Sequence, residues 1–218
     1  MPTRKPQRAR KPRLTSTGAP EPTASQRIIQ ATETLLFERG IDGVSMGDVA
    51  AHAGVDKSLV FYYFGTKAEL IETVLDGYYT AHQTALASAF EAGGALPERV
   101  HRVIDAYFSF IETHRLYPRL VQAEISRSDV NTTKIRDSLA GLCRWTESAL
   151  AGVAPATGPL AAKHLFLSLS GIMINYFTYA PVLGPFWGED PMSESARAER
   201  RAHVHWIADA LLERLIRG

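Results

Sequence analysis

The sequence predicts an all-α fold on three observations. Apolar residues recur at helical spacing in most segments, and no segment alternates between apolar and polar residues over a useful length. Capping residues and glycines stand at the ends of the periodic segments. The composition, 45% apolar and 22% charged in 218 residues, is that of an ordinary globular protein with one large or two small domains. The single cysteine, Cys143, excludes an internal disulfide framework and is expected to be packed.

Residues 1–24 form a basic tail. They hold six lysine and arginine residues against one acidic residue, Glu21, so the tail carries +5 while the whole chain carries +1. The tail is rich in Pro, Thr and Ser and has almost no large apolar residue, which predicts disorder. It also lacks the apolar stretch that a signal peptide needs.

Three short helices follow, each with its own stop signal. The first has apolar residues at helical spacing, namely Ile28, Ala31, Leu35 and Leu36, and ends at Gly40. The second, residues 46–53, begins after Ser45, which approximates a capping box with Asp48. Gly54 can take the positive φ of a helix end. The third, residues 57–64, lies between Asp56 as its cap and Gly65.

The second and third of these helices are joined by a tight turn. Such a pair is a helix-turn-helix, a device that lays its second helix in the major groove of DNA. Most helical hairpins bind no DNA, so the pair alone leaves both interpretations open. Thr66 is expected to cap a fourth helix, with Lys67 in its first turn.

The stretch from Ile28 to Lys67 resembles the N-terminal domain of the TetR family of bacterial transcriptional regulators. The agreement runs over about forty residues without a gap, and the spacing from Gly54 to Lys67 is highly specific. The matching residues are Ala31, Leu36, Phe37, Gly40, Ser45, Val49, Ala50, Ala53, Gly54, Val55, Lys57, Tyr62, Phe64, Gly65, Lys67 and Leu70. The resemblance implies a disordered basic arm at 1–24, a three-helix DNA-binding domain at 25–67, and a larger helical ligand-binding and dimerisation domain at 68–218.

The resemblance also implies a function. We expect a homodimeric repressor in the bacterial cytoplasm, associated with the nucleoid when bound to DNA. It would bind a palindromic operator in double-stranded DNA and be released by a small apolar or aromatic effector. Two alternatives stay open. One is a helical ligand-binding or scaffold dimer without specific DNA readout, and the other is a sequence-indifferent DNA binder that uses the basic arm.

Eight residues are candidate DNA contacts. They lie at helix starts or on the second motif helix: Ser45, Met46, Lys57, Ser58, Leu59, Tyr62, Tyr63 and Lys67. The start of the second motif helix is where recognition helices touch base edges, and Lys67 at a helix N-terminus is the best phosphate contact. Tyr62 has core packing as its alternative, and Phe61 is expected to pack. The basic arm either follows the DNA or is a solvated tail.

The remaining helices are predicted at 67–90, 97–114, 118–126, from Asn131 or Thr132 onward, at 165–183 and at 195–217. By the resemblance, the middle helices enclose a small-molecule pocket. Candidate lining residues are aromatic or polar groups on apolar faces, each of which is more often core than pocket: Tyr107, Phe108, Ile111, Gln122, Trp145, Phe166, Asn175, Tyr176 and Tyr179.

The segment 165–183 has no charged residue and is long enough to cross a membrane. Polar residues within it and prolines at its end, Pro181 and Pro185, favour instead a helix buried on all sides, with no membrane partner. By the resemblance, the last two helices pair with those of a second subunit. The candidate interface residues are Ser168, Gly171, Val204, Ile207, Leu211 and Leu215. The alternative is that both helices only cover the core of one subunit.

An enzyme is not expected. The chain has no Gly-rich phosphate loop, no G-x-S-x-G and no H-E-x-x-H motif. The seven histidines are scattered, and His203 and His205 point to different faces of one helix, which makes a poor metal pair. We therefore expect no catalytic residue, no metal and no cofactor.

Overall fold

Helices make up most of the part of the chain that the structure describes. The structure is a computed structural model, and it describes residues 22–127 and 131–217. These residues form α1 (Ala24–Arg39), α2 (Met46–Ala53), α3 (Lys57–Phe64), α4 (Lys67–Glu91), α5 (Leu96–Thr113), α6 (Leu116–Arg127), α7 (Asn131–Ala149), α8 (Ala162–Trp187) and α9 (Glu194–Arg217). No strand occurs within the described ranges. The predicted all-α fold is confirmed. The chain divides into two compact units between Ile71 and Glu72.

The first helix begins earlier than predicted. Thr23 is its N-cap: the Thr23 hydroxyl accepts from the Gln26 backbone N–H at 3.2 Å, and the Gln26 side chain accepts from the Thr23 N–H at 2.8 Å. Disorder was therefore the wrong prediction for residues 23 and 24, because this capping box satisfies N–H groups of the first turn. Residues 1–21, the rest of the predicted basic arm, lie outside the described part of the chain.

The N-terminal unit packs α1, α2 and α3 around one small core. Ile28, Val49 and Val60 are each at most 1% exposed. Two polar contacts fix the helices to one another: the Arg27 Nε donates to the Ala53 carbonyl at 3.3 Å, and Arg39 lies 3.6 Å from Asp48. Both contacts join α1 to α2.

The C-terminal unit contains α5 in its core. Ile104, Phe108 and Ile111 are each at most 1% exposed. On another side of α5, a row of charged groups contacts α9. We name this row the α5–α9 seam, formed by His101, Asp105 and Glu112 on α5 with Arg197, Arg201, His205 and Asp209 on α9. Its closest pairs are His101–Asp209 at 2.7 Å and His205–Asp105 at 2.9 Å.

Helix α8 differs from its prediction in two ways. It continues through Pro181 and Pro185 to Trp187, although the prolines were expected to end it. The residues around them are mostly exposed, so water can bind the carbonyls that lose their N–H partners. The helix is also not buried on all sides, since Val182 and Phe186 are 64% and 73% exposed. By length and mean hydropathy alone it meets the criterion for a membrane span, with 17% of the apolar window buried.

Candidate nucleic-acid interface and ligand cavity

The turn between α2 and α3 is built from backbone caps. The Ser45 hydroxyl accepts from the Asp48 N–H at 3.2 Å, and the Asp48 carboxylate accepts from the Ser45 N–H at 2.9 Å, which starts α2. Gly54 ends α2 with φ 63° and ψ 41°, a left-handed conformation that glycine adopts without strain. The Asp56 carboxylate then accepts from the Ser58 N–H at 2.7 Å and starts α3.

These hydrogen bonds also set the charge state of the two capping carboxylates. Hydrogen bonds from the hydroxyl and N–H of Ser45 hold the pKa of Asp48 below its usual value. The corresponding groups of Ser58 lower the pKa of Asp56. Both carboxylates therefore stay ionised at neutral pH and face the positive ends of their helices.

Helix α3 presents one face to the core and the other to solvent. Val60 and Phe64 are buried, whereas Lys57 and Ser58 are exposed at the N-terminal end of the helix. Tyr62 is 78% exposed, so its alternative of packing in the core is wrong. Phe61, which was expected to pack, is 46% exposed, and the Lys57 ammonium lies 5.7 Å from the centre of its ring.

Four further candidate contacts differ in their exposure. Leu59 is half-buried and Tyr63 is 46% exposed, so both keep part of their surface toward solvent. Ser45 is exposed, but the Met46 side chain is only 7% exposed. The prediction of a DNA contact is therefore wrong for the Met46 side chain, because its thioether fills the core between the helices.

Lys67 lies half-buried in the first turn of α4. The same turn holds a capping box, in which the Glu69 carboxylate accepts from the Thr66 N–H at 2.7 Å and the Thr66 hydroxyl accepts from the Glu69 N–H at 3.2 Å. Hydrogen bonds from Thr66 lower the pKa of Glu69, which keeps a negative charge there. The helix end by itself is thus a weaker anion site than expected, and the predicted phosphate contact depends on the charge of the Lys67 ammonium.

The C-terminal unit contains an apolar cavity of about 110 Å³. Helices α4, α5, α7, α8 and α9 contribute its walls. The lining residues are Leu86, Phe90, Val100, Val103, Ile104, Tyr107, Leu142, Trp145, Thr146, Ala149, Leu150, Leu165, Phe166, Leu169, Ser170, Met173, Ala208, Leu211, Leu212 and Leu215.

The structure brings three of the nine predicted pocket residues into this wall: Tyr107, Trp145 and Phe166. The other six are not among its lining residues. Phe108 and Ile111 lie in the core beside it, and Gln122, Asn175 and Tyr179 are exposed. Tyr176 is buried and donates its hydroxyl to the Pro191 carbonyl. The missed residues are mainly leucines and valines, which no sequence signal separates from ordinary core.

The predicted interface residues differ in their exposure. Ser168 is exposed and Gly171 half-buried on α8. On α9, Val204 is 0% exposed, Ile207 is half-buried, and Leu211 and Leu215 line the cavity. Val204 and Leu215 were therefore wrong choices for an interface, because their side chains are already buried within one subunit. The large apolar side chains that α9 leaves exposed are Trp206 at 66% and Ile216 at 63%.

No group of three His, Cys, Asp or Glu residues in the described ranges is arranged to hold a metal ion. The half-buried Cys143 thiol has a raised pKa, first through burial and then through Glu147 beside it, so the thiol form is favoured.

The exposed α3 face and the capped turn define a helix-turn-helix DNA-binding domain. Comparison with known proteins gives its family: residues 28–74 match the family of bacterial regulatory proteins called the tetR family. The chain carries the TetR-family DNA-binding domain, and the resemblance predicted from the sequence is confirmed.

Relatives agree with this assignment over the same region. The chain is 35% identical over 66 residues to the HTH-type transcriptional regulator TtgR of Pseudomonas putida, which is 30% of this chain and 31% of that protein. It is 45% identical over 60 residues to an HTH-type transcriptional repressor of Mycobacterium tuberculosis, 28% of this chain and 31% of the repressor. The chain thus spans about a third of the length of these relatives.

The likeness in fold extends over most of the chain. The structure of the fatty acid degradation regulator FadR from Bacillus halodurans superposes with a TM-score of 0.69 and 16% identity, covering 88% of this chain and 96% of that one. At this level of identity the superposition concerns the fold alone. It shows that the described helices have a fold similar to that of this regulator.

Proposed function

We propose that this chain is a transcriptional regulator, a homodimeric repressor that binds a palindromic operator and is released by a small ligand. The observation that carries the proposal is the outward face of α3. Lys57 and Ser58 are exposed there on a helix that Val60 and Phe64 anchor, inside a TetR-family domain. The protein acts in the bacterial cytoplasm and needs no cofactor or catalytic group.

The exposed α3 residues have the chemistry of a recognition helix. Lys57 can donate to a guanine edge or a phosphate, and half-buried Leu59 can contact a thymine methyl group. Tyr62 and Tyr63 offer phenol donors to phosphates, because their rings are largely outside the core. Lys67 and Ser45 approach the backbone on either side of the groove.

The charge of the N-terminal unit supports a role for the basic arm. Residues 22–71 hold four basic and six acidic residues, a balance of −2. Residues 1–21 hold six basic residues and Glu21, a balance of +5. Since phosphate neutralisation supplies most of non-specific affinity, the arm is the main source of that attraction, through the DNA backbone or the minor groove.

An exposed apolar face on α8 and α9 supports the homodimer. Leu167, Val182 and Phe186 on α8 and Trp206 and Ile216 on α9 are 63–73% exposed in one subunit. Large apolar side chains that one subunit leaves exposed can be buried when two copies associate. A second copy fits best, because a two-fold dimer matches a palindromic site.

A membrane is a poorer fit for the same face. The opposite side of α8 packs against α9, a helix that carries many charged residues. The Arg200 guanidinium of α9 donates to the Ile172 carbonyl of α8 at 2.9 Å. A bilayer that surrounded α8 would have to take up these charges, which is strongly unfavourable.

Helix α4 is the candidate link between ligand and DNA. Its first turn carries Lys67, and its last turns supply Leu86 and Phe90 to the cavity wall. A ligand that prefers one cavity shape would shift α4 and change the separation of the two recognition helices. DNA binding needs that separation near roughly 34–36 Å, so by linkage such a ligand lowers operator affinity.

Selection from random duplex DNA, with sequencing of the bound pool, tests the proposal. We expect an enriched inverted repeat in the absence of ligand. Lys57→Ala should weaken binding to that repeat by about tenfold, since one base contact is lost. The matched control Lys163→Ala removes an exposed lysine of α8 and should leave binding unchanged. A pool without any repeat would contradict the proposal.

Removal of residues 1–21 separates the proposal from a sequence-indifferent binder. For a specific repressor we expect weaker binding, a shallower dependence on salt and the same preferred sequence. Complete loss of DNA binding would support the sequence-indifferent alternative. Specific binding that increases transcription in a reporter assay would leave the DNA site intact and overturn the assignment as a repressor.

A further inference from the structure

We infer that the cavity takes an uncharged, mainly apolar molecule with one hydroxyl or carbonyl group, and that Tyr107 makes the hydrogen bond to that group. The inference deepens the proposed function and rests on it only for the effect on DNA. Ligand binding itself concerns the C-terminal unit, which supplies every lining residue of the cavity.

No side chain that lines the cavity is of a type that carries a charge at neutral pH. None of its lining residues is Asp, Glu, Lys, Arg or His. A charged ligand would lose its hydration on entering and find no opposite charge, which disfavours it strongly. Four aromatic rings, those of Phe90, Tyr107, Trp145 and Phe166, instead offer flat apolar surface.

Two hydroxyl groups in the cavity wall, those of Thr146 and Ser170, already donate hydrogen bonds within their own helices. The Thr146 hydroxyl donates to the Leu142 carbonyl at 2.9 Å, and the Ser170 hydroxyl donates to the Phe166 carbonyl at 2.7 Å. The remaining donors are the Tyr107 phenol and the Trp145 indole. Tyr107 is the more enclosed, at 6% exposure, while Trp145 is half-buried.

The surroundings of Tyr107 contain no charge that would select an anion. The His82 ring lies edge-on behind Tyr107, with ring centres 4.5 Å apart, and is 1% exposed. Burial, and to a lesser extent His114, lowers the pKa of His82 to about 4, so the ring is neutral at pH 7. Burial also raises the pKa of Tyr107, which keeps the phenol protonated and able to donate.

Arg99 is the cation that contacts the wall from outside. Its guanidinium lies 3.7 Å from the centre of the Phe90 ring, and its Nε donates to the Phe90 carbonyl at 2.9 Å. It is not among the lining residues. Because Arg99 does not line the cavity and its guanidinium is engaged by Phe90, we do not assign it as an anion site.

A matched series of bicyclic probes tests the charge requirement. The probes are 2-naphthol, naphthalene, 2-naphthoate and 2-naphthylmethylammonium, titrated into the full chain at pH 7 by calorimetry without DNA. We expect 2-naphthol to bind at least about tenfold more tightly than either ion, because only the ions must be desolvated as charges. Equal or tighter binding of 2-naphthoate would overturn the inference, and Arg99 would then be the residue to examine. No binding of either neutral probe would also overturn it.

Tyr107→Phe tests the hydrogen bond. We expect the Tyr107→Phe variant to bind 2-naphthol about three- to tenfold more weakly, with the same affinity as naphthalene. The affinity for naphthalene itself should be the same in the variant and the unmodified protein. Tyr117→Phe is the matched control, since Tyr117 is a buried tyrosine that also contacts His82 but does not line the cavity. Unchanged 2-naphthol affinity in Tyr107→Phe would overturn the role of this residue.

The DNA readout distinguishes this inference from the proposed function. If 2-naphthol binds as expected and operator affinity stays the same, the cavity chemistry stands while release by ligand fails. If operator binding responds to a charged probe and not to 2-naphthol, release by ligand stands and the uncharged ligand class is wrong.

Discussion

The two units of the molecule differ in the residues that begin and end their helices. In the N-terminal unit each of α1, α2 and α3 begins at a side-chain cap and ends at a glycine, the pairs being Thr23 with Gly40, Ser45 with Gly54 and Asp56 with Gly65. In the C-terminal unit α5 and α8 begin after alanines, whose side chains make no capping hydrogen bond. Side-chain caps and glycines adjacent in the chain thus set the ends of α1, α2 and α3, whereas the N-cap residues of α5 and α8 supply no side-chain hydrogen bond.

The two units also differ in the burial of their aromatic and polar side chains. The N-terminal unit exposes aromatic rings on α3, which a ligand as large as DNA can cover. The C-terminal unit buries a histidine, His82, whose ring nitrogens have no hydrogen-bond partner within the described residues. Changes to buried polar groups of the second unit should therefore affect stability more than changes to the local caps of the first.

The largest effect is expected from pH acting on His82. The unfolded histidine binds a proton near pH 6.5 and the folded one near pH 4, so stability is full above pH 6.5 and falls between pH 6.5 and 4. We expect a loss of about 3 kcal/mol across this range. Urea unfolding followed by tryptophan fluorescence reports it, because Trp145, Trp187 and Trp206 all lie in the C-terminal unit.

His82→Leu is the variant that tests this assignment. It keeps an apolar group of similar size in the core and removes the titrating ring, so most of that pH dependence should disappear. An unchanged pH profile in the variant would show that other groups cause the loss on acidification.

A smaller effect is expected in the α5–α9 seam. Glu112 pairs with Arg197 and with Arg201, both at 3.1 Å, and these side chains are 21–31% exposed. Glu112→Gln should lower the free energy of unfolding by about 2 kcal/mol, because two guanidinium groups lose their charged partner. The control Glu213→Gln breaks a pair with Arg217 that is 65–78% exposed at 3.6 Å, and should change stability by no more than about 0.5 kcal/mol. Equal effects in both variants would contradict the role of burial.

Two glycines give a matched pair for backbone conformation. Gly54 has φ 63°, and Gly77 lies inside α4 without a positive φ; a Cβ at either position meets nothing within 4 Å. Gly54→Ala should cost about 1–2 kcal/mol, since only strain opposes it. Gly77→Ala should instead stabilise by about 0.5–1 kcal/mol. Denaturant unfolding followed by circular dichroism measures both, and a neutral Gly54→Ala would show that the turn adjusts.

The smallest expected effect is a change in one pKa. The Ser45 hydroxyl is the largest cause of the lowered pKa of Asp48, so Ser45→Ala should raise that pKa toward 3.8. The pKa of Asp56 should not move, because its partner Ser58 is untouched. NMR titration of the carboxyl groups checks both. The stabilisation from Asp48 is present above pH 4 and is lost as the pH falls through its folded pKa.

The sequence predicted the helix ends of the N-terminal unit better than the cavity lining of the C-terminal unit. The bounds of α2 and α3 were predicted to the residue, because Ser45, Gly54, Asp56 and Gly65 act on their own neighbours in the chain. The pocket was predicted only in part. Tyr107, Trp145 and Phe166 stand out as aromatic residues, whereas Leu86 or Val103 looks like any other core residue in sequence. The prolines of α8 misled the prediction because their effect depends on whether water reaches the freed carbonyls.

The all-α class, the helix-turn-helix and its resemblance to the TetR family could be read from neighbouring residues, since caps, glycines and helical periodicity are local properties. Which apolar residues of α9 face inward depends instead on tertiary packing. Val204 and Leu215 are enclosed, while Trp206 and Ile216 are left exposed on the same helix. Likewise, only the fold brought five helices together around one uncharged cavity. Apolar side chains are interchangeable in a helical pattern, and which of them meet depends on how the helices pack.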